Sequence, residues 1–159
     1  MERTAHLDGS DDPQALATLY DSVTANPSGA VGERWVDYRQ IEKLEAERLK
    51  RDTGWNFEGW RHSVTDSELA HIVKRHGTGR EERTGHLPVT REDVLLIPEI
   101  TRDYDTAQRS RTHNGLDAIV FRKRFDGIVI VVEEVRSGRR KLAVKSLRKR
   151  VAGAPHAQE

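Results

Sequence analysis

Alternation of apolar and polar positions is clearest in the last third of the chain. Residues 116–125, 128–136 and 139–148 are β-rich runs separated by Asp126-Gly127 and Ser137-Gly138. That pattern predicts a three-stranded antiparallel meander joined by two-residue turns. Such turns set a register in which Arg122 faces Val131, Val120 faces Glu133, and Val131 faces Val144. Because side chains alternate across a sheet, one face then carries Ile119, Phe121, Lys123, Phe125, Ile128, Ile130, Val132, Ala143 and Leu147, the expected core side. The other carries Val120, Arg122, Arg124, Val129, Val131, Glu133, Val144, Ser146 and Arg148. A valine floor with cations, one acid and one hydroxyl suits a cleft for an anionic ligand. The competing reading of that face is a solvated outer surface.

The first two thirds read as helices. Asp12 as N-cap and Pro13 at the first helical position open a helix over 13–23, with Leu16, Leu19, Tyr20 and Val23 on one stripe. Residues 33–51 form the longest helix candidate, with Trp35, Tyr38, Ile41, Leu44, Ala46 and Leu49 on its apolar side. Trp55, Phe57 and Trp60 follow as an aromatic cluster, read as a satellite of the core in preference to a base-stacking platform. Thr65-Asp-Ser-Glu68 is a capping box that opens a helix over 66–75, with Leu69, Ile72 and Val73 inward. His71 and His76 flank its end, and Gly77 closes it. Residues 78–87 predict a mobile loop. Thr90-Arg-Glu-Asp93 starts another helix that runs to Pro98, and an edge strand is expected around 108–112. The fold class is α+β, with N-terminal helices packed on one face of a C-terminal antiparallel meander. Residues 1–31 are expected to be a polar leader with a short helix, 32–150 a single domain, and 151–159 a frayed tail.

Charge sharpens this picture. Residues 1–101 hold 13 Lys and Arg against 19 Asp and Glu, whereas residues 102–150 hold 14 against 6. The +1 net charge therefore hides an acidic front and a basic sheet, and a basic sheet is the footprint of a phosphate-backbone binder. The chain has no cysteine, which excludes disulfides and thiol chemistry. No apolar run approaches the roughly 20 residues that span a bilayer, so no membrane partner is expected.

Two histidines near a helix end, a basic sheet and a serine on the last strand are the parts of a metal-independent ribonuclease. Histidine can take and give protons near neutral pH, and arginine matches the charge that builds on a phosphorane. His71 and His76, five residues apart, diverge by roughly 140° on a helix, so they share a site only if His76 has left it. A structural histidine at a helix end is the simpler reading of each. For metals, His62, His71, His76, His86 and His113 are the available ligands, but no zinc spacing is met and no metal or other cofactor is expected.

The runs Asp52-Thr-Gly-Trp-Asn-Phe-Glu-Gly59, Ala70-His71-Ile-Val-Lys-Arg-His76-Gly77, Leu87-Pro-Val-Thr90-Arg-Glu-Asp93, Ile97-Pro98 and Leu142-Ala-Val-Lys-Ser146 resemble phage-associated nuclease domains of the barnase–EndoU–colicin–RelE-like (BECR) fold. The resemblance spans about residues 52–150. It implies helices packed on one face of the sheet and an RNA-cleaving site on the other, built from the helix-end histidines, a strand cation and a terminal-strand hydroxyl. The expected catalytic set is His76, His71, Arg122 and Ser146, with Arg124, Lys145, Arg148 and Lys123 along the RNA backbone. Ser146 followed by Leu147 departs from the Thr-aromatic pair of the pattern but keeps the hydroxyl. Glu133 is expected to orient a cation or act as base. Expected partners are RNA (tRNA among the candidates) and a cognate immunity protein, antitoxin or phage head protein. The expected location is the host cytoplasm or the virion. The alternative is a non-catalytic nucleic-acid-binding or virion-associated module of the same fold.

Overall fold

In the computed structural model, residues 13–76 and 86–151 are described, apart from the side chains of Pro13, His76 and His86. The expected polar start, Gly77, the loop through residue 85 and the tail beyond Val151 lie outside the described residues. The described elements are α1 (Pro13–Ala25), β1 (Trp35–Gln40), α2 (Lys43–Thr53), β2 (Arg61–Thr65), α3 (Asp66–His76), β3 (His86–Leu87), α4 (Arg91–Leu95), α5 (Ile97–Arg102), β4 (Thr106–Arg111), β5 (Asp117–Arg124), β6 (Gly127–Arg136) and β7 (Lys141–Val151). The strands form one sheet in the order β1-β2-β7-β6-β5-β4, with β3 pairing β7 beside β2. Only the β2–β7 pairing is parallel. The α+β class and the C-terminal meander are as expected.

The helices cover one face of this sheet. Leu16, Leu19 and Val23 of α1, expected in a leader, are buried in the same core as Leu69 and Ile72 of α3. Ile97 and Ile100 of α5 join them, against Ile119, Phe121, Val129, Val131, Leu142, Val144 and Leu147 of the sheet. Phe57 belongs to this core too, with Trp60 edge-on at 4.9 Å and Trp55 partly buried against it. The second helix start forms as expected. Thr90 and Asp93 cap each other reciprocally, and Pro98 stands at the beginning of α5.

Three local expectations are corrected. The long helix over 33–51 is instead β1 followed by α2. Val36, Asp37, Tyr38 and Arg39 are buried in succession, the two charged residues with ion-pair partners in Lys141 (2.9 Å) and Glu45 (2.7 Å), while Trp35, Tyr38 and Ile41, three apart, read as a helical stripe in sequence. Leu44, placed on the apolar side of that helix, is 82% exposed. β2 had no counterpart in the expectation, although it joins β1 to the meander.

The third correction is register. Arg122 pairs with Ile130, one residue away from its expected partner, and Val131 pairs with Leu147 instead of Val144. Gly127 is not the left-handed residue of a two-residue turn but the first residue of β6. A Cβ there would stand 2.5 Å from the Arg150 carbonyl oxygen, so its role is close approach to β7. The second turn is a 3-10 turn over Ser137–Arg139, with Arg140 left-handed at φ 55°. A bulge leaves Lys145 as an extra residue between the pairs Val132–Ser146 and Glu133–Val144. Up to the bulge both slips are odd on the two sides of β6, so β6 is inverted. Val129, Val131 and Glu133 turn to the core side, and Ile128, Ile130 and Val132 turn outward. The bulge sends Val144 inward as well.

Candidate functional site

The sheet face that carries Val120, Arg122, Val132, Ser146 and Arg148 points away from the core. Part of it is a cleft of about 580 Å³. Each wall has a local cause. α3 starts where Thr65 Oγ1 accepts the Glu68 N–H (3.2 Å), and it packs against β7. Positions four apart share a helix face, so His71 and Arg75 both line the cleft. The β4–β5 turn, closed by Gly115 at φ 84°, brings Arg111, Thr112, His113 and Asn114. Val120 and Val132 are paired neighbours on the cleft face, a valine floor as expected but from a different valine of β6. The bulge in β7 places Lys145 and Ser146 side by side in the lining, with Arg148 beyond them.

Electrostatically the cleft is cationic. Arg75, Arg111, Lys145 and Arg148 contribute fixed positive charge, and Glu68 lies 3.5 Å from Lys145. His71 and His113 are both solvent-exposed. Two imidazoles, a hydroxyl and several cations around an apolar floor can hold a phosphodiester and exchange protons with it.

Of the expected site residues, His71, Ser146, Lys145 and Arg148 meet in this cleft. Arg122 lies on the same face, across Ile130 from Arg148, but donates to Gln108 Oε1 (2.6 Å) and is not part of the lining. Arg124 is exposed at the hairpin end, and Lys123 turns to the helix side, where its ammonium donates to the Asp103 carbonyl (2.8 Å). His76 lies in α3, with its side chain outside the described residues. His113 and Arg75 are additions. Asn114-Gly115 between β-rich runs is a hairpin signal that would have put His113 at a turn.

Glu133 requires a correction. The inversion of β6 buries it completely on the helix side, in a closed polar ring. His62 Nδ1 contacts Glu133 Oε1 (2.7 Å), and His62 Nε2 contacts Glu45 Oε2 (2.8 Å). Arg39 donates to both Glu45 oxygens (3.0 and 2.7 Å), to Thr101 Oγ1 (3.1 Å) and to the Pro98 carbonyl (2.8 Å). The Tyr38 hydroxyl donates to Glu133 and contacts Thr101 Oγ1, which closes the ring. Only an imidazolium can donate from both nitrogens. Burial alone would pull the His62 pKa down, but attraction to Glu133 and then Glu45 outweighs it, and the net shift is upward. Burial likewise pushes Glu45 up, yet His62 and Arg39 together bring it down to about 2. Burial and the charge on Glu133 raise the Tyr38 hydroxyl well above its ordinary range. The ring therefore sets Arg39 and His62 against Glu45 and Glu133. Among the described residues, no group of three or more His, Asp or Glu side chains is arranged to hold a metal ion.

A family model described as phage-Barnase-EndoU-ColicinE5/D-RelE like nuclease3 matches residues 39–152. That range begins at Arg39, near the end of β1, and runs through β7, so it contains the cleft and every member of the buried ring except Tyr38. Comparison with curated proteins and with solved structures gives no match.

Proposed function

The chain belongs to the phage barnase–EndoU–colicin E5/D–RelE-like nucleases, and on that premise we propose that it cleaves RNA at the outward cleft without a metal ion. The observation that carries this reading is the convergence of His71, His113, Lys145, Ser146 and Arg148 on one valine-floored cleft. RNA brings its own nucleophile. One imidazole takes the proton of a 2′-hydroxyl, whose oxygen attacks the adjacent phosphorus. The other, as imidazolium, gives a proton to the departing 5′-oxygen. The products are a 2′,3′-cyclic phosphate and a free 5′-hydroxyl, with no net proton consumed.

The remaining residues act on charge. Lys145 and Arg148 neutralise the non-bridging oxygens as the pentacoordinate phosphorus forms, and Ser146 donates a hydrogen bond to one of them. Arg75 and Arg111 hold the backbone on either side, and Arg122 and Arg124 extend the basic track along the sheet. His76, five residues beyond His71, belongs in the same mutational test.

The test is cleavage of a mixed RNA pool in EDTA by the wild type and by His71→Ala, His113→Ala, His76→Ala and Ser146→Ala variants. The expected result is metal-free cleavage that leaves cyclic phosphate ends, spares 2′-O-methyl RNA, and falls in the His71, His113 and Ser146 variants. RNA binding with no turnover in any form of the protein would replace this reading with a binding module of the same fold.

A further inference from the structure

The cleft continues past the β4–β5 turn. Ser110 and Arg111 also line a second hollow of about 370 Å³, whose other walls are Trp55, Arg109 and Asp117. The two hollows lie on opposite faces of the sheet and meet at β4. Among the described residues β4 is the last strand of the sheet, and no described strand pairs with its outer backbone donors and acceptors. Across this edge the chemistry is of one kind. Arg109 lies over the Trp55 indole, 5.1 Å from the ring centroid, and Trp55 is braced edge-on by the buried Phe57 at 6.1 Å. Trp55 is only half-buried and Arg109 is exposed, so the stacked pair keeps flat surface open to solvent.

We propose that this hollow is a nucleotide subsite, in which the RNA strand leaving the cleft crosses the edge of β4 and stacks an unpaired base on the Arg109–Trp55 pair. The subsite rests on the ribonuclease reading of the cleft. Arg111, shared by both hollows, holds the phosphate at the crossing, and Arg109 serves the next one. Indole and guanidinium planes both stack on bases, and every base has a π-face to offer. Asp117, when ionised, can only accept hydrogen bonds, and guanine, whose adjacent N1–H and N2–H donate to both carboxylate oxygens at once, suits it best. An acidic peptide added as a strand along β4 would use the same edge, but it would leave the stacked pair and its open faces without a role.

The experiment uses the full chain carrying Trp35→Phe and Trp60→Phe, so that Trp55 is the sole tryptophan and its emission is excited apart from that of the tyrosines, titrated with uncleavable 2′-O-methyl RNA. A mononucleotide or dinucleotide is expected to leave the fluorescence unchanged, whereas a hexanucleotide quenches it. Trp55→Leu in the wild-type background should weaken hexanucleotide binding roughly tenfold, in line with the loss of one base stack, and leave dinucleotide binding unchanged. Arg109→Gln, on the exposed edge, should show the same length-selective loss if the leucine variant fails to fold. Asp117→Asn should erase a several-fold preference for guanine over the other bases at the terminal position. A hexanucleotide that binds with unchanged Trp55 fluorescence, and equally well to the Trp55 and Arg109 variants, overturns the subsite while leaving the cleft reading intact. A hexanucleotide that does not bind at all, from a protein that does not cleave RNA, overturns both. Displacement of bound RNA by an acidic peptide that pairs β4, without any Trp55 effect of RNA, assigns the edge to a protein partner.

Discussion

His62 and His71 serve opposite faces of the same sheet, and their surroundings give them opposite work. His62 is fully buried, both of its nitrogens are occupied by carboxylates, and Tyr38 stacks on its ring at 5.2 Å. His71 is exposed on the outer side of α3, at the rim of a cationic cleft, with His113 also in the lining. A histidine in the first setting has its hydrogen-bonding capacity used up and contributes to stability and to the uniqueness of the packing. One in the second can still exchange a proton with a ligand. Counting titratable residues does not separate these roles. Their partners do.

The comparison can be broken most forcefully at the cleft. His71→Ala or His113→Ala is expected to lower RNA cleavage by about 10²–10⁴-fold, the usual worth of a general acid or base. Thermal unfolding should change little, because surface substitutions outside special features shift stability by no more than about 0.5 kcal/mol. Equal cleavage by wild type and both variants would remove the proton-transfer role from this face.

The ring is expected to respond in the reverse sense. Glu133→Ala or His62→Ala leaves a buried charge without its partner, which costs about 3–5 kcal/mol in denaturant unfolding. The fraction that remains folded should cleave RNA at the wild-type rate. A folded Glu133→Ala protein with wild-type stability and no cleavage would move the catalytic centre to the helix side.

Acidity sharpens the contrast further. The His62 pKa is raised in the folded state, so its contribution is complete below about pH 6.5 and fades as pH rises through the folded value. Glu45 is lowered to about 2, so its contribution is present above the ordinary glutamate range and is lost as pH falls toward 2. The ring should therefore stabilise the fold most between about pH 4.3 and 6.5. Stability curves of wild type minus a doubly apolar variant, His62→Phe with Glu133→Leu, should peak in that window. A flat difference across pH would contradict the four-charge ring.

The smallest expected effect is on salt dependence. Arg148→Gln should reduce the slope of log binding constant against log salt for single-stranded RNA by about 0.7, the share of one phosphate contact. Arg136→Gln, at the far end of β6 and paired with Glu134 (3.2 Å), should leave the slope unchanged. Equal slopes for both variants would mean that the basic track does not follow the cleft.

Much of the fold could be read directly. Thr90 and Asp93, Pro98 and the alternating runs of the meander all behave as their local chemistry requires, because caps and strand alternation depend on near neighbours. Part of the candidate site could be read as well. His71, Ser146, Lys145 and Arg148 were separable from the rest by residue type and by position at a helix end or on the last strand. His113 and Arg75 carried signals that local rules contain, the Asn-Gly turn and the four-residue helical step.

What the sequence by itself determined is the list of elements with short-range causes and the concentration of cations on the meander. Tertiary structure alone decided which face each β6 residue takes, because a register is a pairing between distant strands and an odd slip inverts a whole strand. Gly127 had to approach Arg150 closely, and the bulge at Lys145 had to be absorbed by β6. The slip of β6 against β5 turned Glu133 from an expected member of the cleft into the anchor of the buried ring, and the bulge brought Val144 to the same side. The same distance dependence made β1 look helical. Its burial on both sides comes from β2, α1 and the sheet, none of which is legible within the run from Trp35 to Gln40.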